Sequence, residues 1–403
     1  MRSVHVAPRP ADEPRAVAWP VSDRLAKARI DICEDFATAV PAWDRVIELG
    51  AIVGPFGGRD WIELWHRHIG APAGFRPLIA IARDEQDEPL FLLPFTSRPG
   101  GRLTIARYFG GRHAQLNMGL WRRDVAATVT VDDLNAVLAA IAQRAGIDLF
   151  LLLGQPALWD GRPNPMAQLP HQASPDDVFR LDIDGAPGEQ LIKTKLNPAL
   201  RGTLKSKEKK LAQLAGYRYF RAASAPEAER VLAAFLTQKA AHLEAQGVRN
   251  AFAEPGAHAF LRAACVDALA SGEPVIELHA IEGGGEVLAV LGGTATPQRF
   301  SSMFNSYTLT EHARWSPGLI LISHIIRDCA DRGIASYDLG AGYAQYKRFF
   351  CKTVDPLFDT VLAFSGRGRI AAAALRIGLA CKRRIKSTGL VWAIVCRLRR
   401  LAS

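Results

Sequence analysis

One succession of elements is written twice along this chain of 403 residues, and any fold it adopts has to accommodate both copies. In the first, a helical pattern at residues 61–68 precedes a strand-like run at 78–82. An acidic turn (Asp84, Glu85, Asp87, Glu88) leads to a strand at 90–95 and a further one near 103–108. A helix at 132–144, Gly146 and a strand at 147–153 follow. In the second, a helix near 257–269 precedes a strand at 275–281. A glycine turn (Gly283, Gly284, Gly285) leads to strands at 287–292 and 299–307, then a helix at 317–332, Gly333 and a strand at 334–339. Glycine just past a helix and glycine or acidic residues between apolar runs are sound boundaries, because each supplies the backbone freedom or solvation a chain reversal needs. The pattern predicts an α/β (α+β) chain of two tandem domains, residues 25–181 and 189–364, joined at 182–188. Residues 1–24 are expected to form a disordered tail, and residues 365–403 a basic helical one.

Composition narrows the classes further. With 49% hydrophobic and 22% charged residues the chain is neither disordered nor fibrous. No apolar run approaches the roughly 18–20 residues of a membrane-spanning helix. The six cysteines lie scattered with no C-x-x-C pair, a spacing that fits neither a zinc knuckle nor a disulfide framework, and no metal is expected. Residues 1–20 are rich in Pro, Arg and Ala and lack the apolar stretch of a secretion signal, so the expected compartment is the cytoplasm. The net charge of +10 is localised: residues 365–403 contain ten Lys and Arg and no Asp or Glu, and the rest of the chain is balanced. A basic isoelectric point is therefore no argument for a nucleic-acid-binding body. In the tail the cations alternate with apolar stretches at 370–375, 377–380 and 390–395. That pattern suits the interface of an anionic membrane, which would place the protein peripherally on the inner face, and it equally suits a helix packed against the second domain.

Two segments carry most of the chemistry. Trp315-Ser316-Pro317-Gly318 opens the helix at 317–332: Ser316 suits the cap, Pro317 the first helical position, and Gly318 leaves room for a ligand to approach the backbone. A helix start with free N–H groups attracts phosphate. The equivalent helix of the first copy opens on Asp132-Asp133, which would repel it, so anion binding is expected in the second copy alone. The other segment runs Tyr337-Asp338-Leu339-Gly340-Ala341-Gly342-Tyr343-Ala344-Gln345-Tyr346-Lys347. It resembles a dinucleotide fingerprint only at its first two glycines, and Pro356 leaves little room for the crossover helix that motif needs. Set between aromatic residues, Lys347 reads as a partly buried cation able to hold an anion or oxyanion. A basic helix from Asn197 to before Gly216 carries Arg201, Lys205, Lys207, Lys209 and Lys210; it is either a solvated face or one wall of an anionic-ligand cleft. His66 and His68 face different ways on a helix and read as structural; His312 and His324 have no evident acidic partner. There is no G-x-S-x-G elbow, Walker A loop or H-E-x-x-H motif.

Leu200-Arg201 with the basic helix, Ala289, Met303-Phe304-Asn305-Ser306-Tyr307, Ser316-Pro317-Gly318, Tyr337-Asp338-Leu339-Gly340 and Tyr346-Lys347 together resemble the CelD-like acetyltransferases of bacterial cellulose and exopolysaccharide pathways. That family looks like a branch of the GCN5-related N-acetyltransferase (GNAT) superfamily, related to the tandem-domain FemAB peptidoglycan aminoacyltransferases. The resemblance covers residues 193–364 well and 43–154 by pattern only. It implies a FemAB-like pair of GNAT-like domains, the first degenerate, and acetyl-CoA or another acyl-CoA as donor. The pantetheine arm would lie along Met303, Asn305, Ser306 and Tyr307, and the pyrophosphate at Ser316, Gly318 and Leu319, although the usual superfamily loop is richer in Arg and Gly. Catalysis would rest on Lys347 for developing negative charge or an acceptor anion, Asp338 as base or orienter of Lys347, and Tyr346 as proton donor to the departing thiolate. Asp338 equally suits a structural bond to a turn amide. Arg201 and Tyr343 are the candidates for binding a small-molecule or glycan acceptor. Two other readings stay open: an aminoacyl-tRNA-dependent transferase, which a long basic coiled-coil insertion would favour, and a non-catalytic scaffold in polysaccharide assembly.

Overall fold

Residues 78–82, 90–95 and 287–292 are almost unbroken apolar runs, the pattern of a sheet covered on both faces. The computed structural model describes residues 27–387. The expected N-terminal tail, the apolar stretch 390–395 and Arg397, Arg399 and Arg400 lie outside the described residues.

The first sheet begins with β1 (Arg29–Cys33), β2 (Arg76–Arg83), β3 (Pro89–Ser97), β4 (Ile105–Tyr108), β5 (Leu149–Pro156) and the short β6 (His171–Ala173). The chain then crosses over. β7 (Val178–Asp182) belongs to the second sheet, with β8 (Arg218–Arg221), β9 (Glu277–Gly283), β10 (Glu286–Ala295), β11 (Phe300–Tyr307), β12 (Ser336–Ala341) and β13 (Thr353–Asp355), in the order β8-β9-β10-β11-β12-β7-β13. β14 (Leu357–Ala363) returns to the first sheet and lies between β5 and β6. Sheet membership therefore does not follow the sequence boundaries at 181 and 364: each half lends the other a strand. The duplicated pattern of the sequence is present as two mixed sheets of matching design, each with an antiparallel hairpin (β2–β3, β9–β10) and a parallel pair (β4–β5, β11–β12).

The crossover helices sit where the sequence puts them. α1 (Val131–Ala145) starts with a capping box, Thr130 and Asp133 satisfying each other's backbone N–H, and stops at Gly146 with φ 61°. α2 (Pro198–Leu211) is the basic helix, with Asn197 accepting from the Ala199 amide at its start. Two further helices flank the site: α3 (Ala225–Ala245), a 21-residue helix capped by Ser224 that the sequence reading missed, and α4 (Pro317–Asp331). α5 (Gly366–Ser387) is the described part of the basic tail.

One apolar core runs across both halves, from Trp43 and Trp121 in the first to Phe235, Phe260 and Phe304 in the second; Trp61 and Phe260 meet edge to face at 5.4 Å. A second core lies between α4 and its own sheet, around Phe300, Ile322, Ile326 and Tyr337. α5 packs on the first sheet, against the returning strand β14 and its neighbour β5. Its Ala372, Leu375 and Leu379 cover Leu149 and Val361, because β14 has carried the chain back to that sheet.

Candidate functional site: a cavity between splayed strands

The parallel ladder of β11 and β12 has two rungs, Phe300 to Tyr337 and Ser301 to Asp338. Beyond them the strands separate. β11 stays paired with β10 up to Tyr307, so its other edge opens into a cavity of about 320 Å³. Val290, Leu291, Asn305, Ser306, Tyr307, Ser316, Gly318, Leu319, Leu321, Ile322 and Tyr346 are among its walls. Thr308 N–H donates to the Leu288 carbonyl, and backbone bonds alternate along an antiparallel pair. Asn305 and Tyr307 therefore turn their peptide groups toward the opening. Asn305 O already receives Lys239 Nζ, from α3, at 3.1 Å, and burial lowers the pKa of that lysine. Ser306 Oγ donates to Gln238 on the same helix at 2.7 Å.

At the rim stands the start of α4. Ser316 adopts a left-handed conformation (φ 54°, ψ 51°), and its side chain does not cap the helix as expected. Its backbone carbonyl, folded into the first turn, takes the Leu319 and Ile320 amides at 3.0 and 3.2 Å. The hydroxyl instead accepts from Lys207 Nζ at 2.7 Å. Pro317 has no N–H, so Gly318 offers the first amide of the helix that is not turned back on Ser316. A side chain added at Gly318 would meet Tyr307 at 3.7 Å, an ordinary contact, so space for a ligand and not backbone conformation distinguishes this glycine. The positive character of the rim thus comes from a lysine of the basic helix together with the helix dipole. Lys205, Lys209 and Lys210 on the same helix are exposed. Arg201 is half-buried, and its Nε has no hydrogen-bond partner.

The acidic partners that seemed missing exist. His324 Nε2 lies 2.5 Å from Glu208, and His312 Nε2 is 3.7 Å from Glu286. Both carboxylates are remote in sequence and come near only when α2 and the β9–β10 hairpin fold against α4 and the turn before it.

Asp338 and Lys347 are buried at the closed end of the splay. Asp338 accepts from Ser301 Oγ at 2.6 Å and from the Gly340 amide at 2.8 Å, with Arg299 3.7 Å away; burial raises its pKa against those contacts. The turn-amide bond of Asp338 is therefore present. Lys347 gives two of its three donors to the Gly340 and Ala341 carbonyls, at 2.9 and 3.0 Å, and burial lowers its pKa to about 8. Tyr346, the preceding residue, does face the cavity: its hydroxyl accepts from Asn305 Nδ2 at 3.2 Å, and burial raises its pKa. Tyr343 is exposed beside Arg348, away from the cavity walls. Met303 is buried below the cavity, where its carbonyl receives Gln115 Nε2 at 2.8 Å. The same Gln115 side chain accepts from the Ala341 amide at 2.6 Å. A residue of the first half thus spans the gap between β11 and β12 where a third rung would lie. No local signal marks Gln115, Gln238 or Lys239, because each reaches the site from another element.

Residues 198–348 match the family model described as an acetyltransferase (GNAT) domain. The second half of the chain carries a GNAT-type acetyltransferase domain. Beyond this domain, 80% of the chain superposes on 96% of FemX with a TM-score of 0.55 at 9% identity. It also resembles L-PGS from Bacillus licheniformis (TM-score 0.48, 11% identity, 78% of this chain and 96% of that one). A third likeness is to a tandem GNAT protein from the clavulanic acid biosynthesis pathway (TM-score 0.45, 12% identity, 83% and 98%). A comparison with curated proteins gives no match. At such identity the likeness to FemX is one of fold alone.

Proposed function

We propose that the protein is an acyltransferase that takes its acyl group from acyl-CoA, acetyl-CoA being the simplest donor, and passes it to an amine or hydroxyl of a small molecule or glycan. The observation that carries this reading is the open splay of the second sheet, with a largely apolar cavity inside and a cation and helix start at its rim. The residues fit such a donor. A volume of about 320 Å³ is at the small end of ligand pockets and suits a pantetheine arm and short acyl group, leaving the nucleotide outside. The outward peptide groups of Asn305 and Tyr307 would hold the arm. The Gly318 amide and Lys207 would meet the pyrophosphate.

Acyl transfer from a thioester needs the acceptor positioned for attack, the carbonyl oxygen stabilised as charge develops, and a proton for the departing thiolate. Tyr346 suits the last of these: its hydroxyl faces the cavity, and burial keeps it protonated at neutral pH. Lys347 and Asp338 act as positioning residues in this reading. Lys347 ties down the carbonyls at the end of β12, and Asp338 fixes the Ser301 hydroxyl and the Gly340 turn. α2 is a single 14-residue helix and not the long basic coiled coil that would favour charged tRNA as donor.

The test is a thermal-shift titration of the full chain with acetyl-CoA, longer acyl-CoAs, free CoA and charged tRNA. Stabilisation by the CoA compounds, rising with acyl occupancy, is the expected result. A response to charged tRNA alone would replace the donor, and a response to none would leave the scaffold reading.

A further inference from the structure

The described tail helix is anchored by one face and leaves another unused. Ala372, Leu375 and Leu379 face the first sheet. Ile370 and Ile377, one heptad apart, are 78% and 65% exposed, and Ile385, farther along, is 37% exposed. Ala373, Ala374 and Cys381, exposed as well, complete the stripe at helical spacing. The helix has no acidic residue. Arg369, Arg376 and Arg383 recur at seven-residue spacing one position ahead of Ile370, Ile377 and Arg384, so a row of cations borders the apolar stripe. Arg367 and Lys386 are answered by Asp148 and Asp176. Arg376 and Arg383 donate instead to the carbonyls of Val361 and Ser174, and among the described residues neither is ion-paired with a carboxylate.

We infer that this face of α5 is a docking surface for an anionic lipid bilayer, with the isoleucines entering the headgroup boundary and the bordering arginines meeting lipid phosphates. The charge selects the occupant. An apolar stripe alone would serve any hydrophobic partner, and cations alone would serve any polyanion. A row of isoleucines beside a row of arginines matches a surface that is apolar beneath and anionic above. A nucleic acid offers phosphates but nothing for Ile370 and Ile377 to enter. The chain continues past the described helix with Leu390, Val391, Trp392, Ile394 and Val395 followed by Arg397, Arg399 and Arg400, a composition of the same kind. No helix among the described residues is long and apolar enough to cross a membrane, so the contact is peripheral. The inference does not depend on the acyltransferase reading.

The experiment is co-sedimentation of the full chain with vesicles of phosphatidylcholine alone or mixed with phosphatidylglycerol. The expected result is binding to the anionic vesicles only, released as salt is raised enough to shorten the Debye length to about 3–4 Å. Ile370→Asp/Ile377→Asp, which alters only exposed side chains, is expected to lower partitioning about tenfold or more while the far-UV spectrum and melting temperature stay put. Equal binding to neutral vesicles, no binding to either, or full binding by the double variant would each overturn the proposal. Two further measurements separate the other occupants. Binding of tRNA without binding of vesicles would assign the face to nucleic acid. Self-association that the double variant abolishes, again without vesicle binding, would assign it to a second copy of this chain.

Discussion

The two halves share a topology and differ at the same place. In each, the parallel pair has two rungs before the strands part: Ile105 to Leu149 and Ala106 to Phe150 in the first half, Phe300 to Tyr337 and Ser301 to Asp338 in the second. In the first half the gap is filled by protein. Tyr108 bonds Gln155 across it at 3.1 Å, and the Asn117 amide and side chain bond the Gly154 and Leu153 carbonyls. The cavity beside Phe109, Asn117 and Met118 measures about 10 Å³, against about 320 Å³ for the one in the second half. The helix starts differ in the same sense. α1 opens on a closed capping box with two acidic residues, α4 on a left-handed serine held by a lysine. A splayed pair of strands is thus a place where a ligand can be built in or built out. Which happens depends on the loop that follows the strand and on the charge at the helix start.

A carboxylate at the second helix start should erase the difference between the two halves. Gly318→Asp has room for its side chain, so the fold should persist while affinity for acyl-CoA falls about a hundredfold or more, since juxtaposed like charges cost several kcal/mol. Isothermal titration beside a melting curve reads both. Next is Tyr346→Phe, which removes the hydroxyl from the cavity wall. If Tyr346 supplies the proton, turnover should drop by about 10²-fold with donor affinity little changed. Equal turnover in the two proteins would make the hydroxyl a mere partner of Asn305. Gln115→Ala then tests whether the first half holds the second half's splay at its working width. Losing both of its bonds should cost about 1–3 kcal/mol in urea unfolding and raise the KM for donor more than it lowers kcat.

A pH series sharpens the role of Lys347. Its folded pKa is about 8, below the ordinary lysine value of 10.5, so between those values the unfolded chain binds more protons than the folded one. Stability contributed by this group should therefore rise as pH increases from about 8 toward 10.5, and the neutral amine still has two N–H donors for Gly340 and Ala341. Comparing denaturant midpoints near pH 7.5 and 9.5, the rise should be present in the wild type and missing in Lys347→Met. The smallest effect belongs to the first half. Asp132→Ala, at an exposed position, should cost about 0.3–1 kcal/mol of stability and leave donor binding unchanged. If it weakens acyl-CoA as much as Gly318→Asp does, the assignment of the donor to the second half fails.

By itself the sequence determined the repeated order of strands and crossover helices, the glycine and proline boundaries, and the two segments around Ser316 and Tyr346 that border the cavity. These are local matters: hydrophobic period, backbone freedom and the chemistry of a helix start are encoded within a turn or two of chain. The long helix α3 escaped notice because Ala-rich amphipathic patterning gives little contrast between its faces, and tertiary packing of Val231, Leu232 and Phe235 picks the buried one. Only the tertiary structure decided that β7 and β14 change sheets, that Gln115 and Lys239 reach β11, and that His324 meets Glu208. It also sent Asp338 and Lys347 inward to hold backbone while Tyr346 alone of the three faces the opening. The reason is physical. Which group a side chain meets across a fold depends on how sheets and helices pack over long sequence separations, and near a splay a shift of one residue turns a side chain from the cavity to the core.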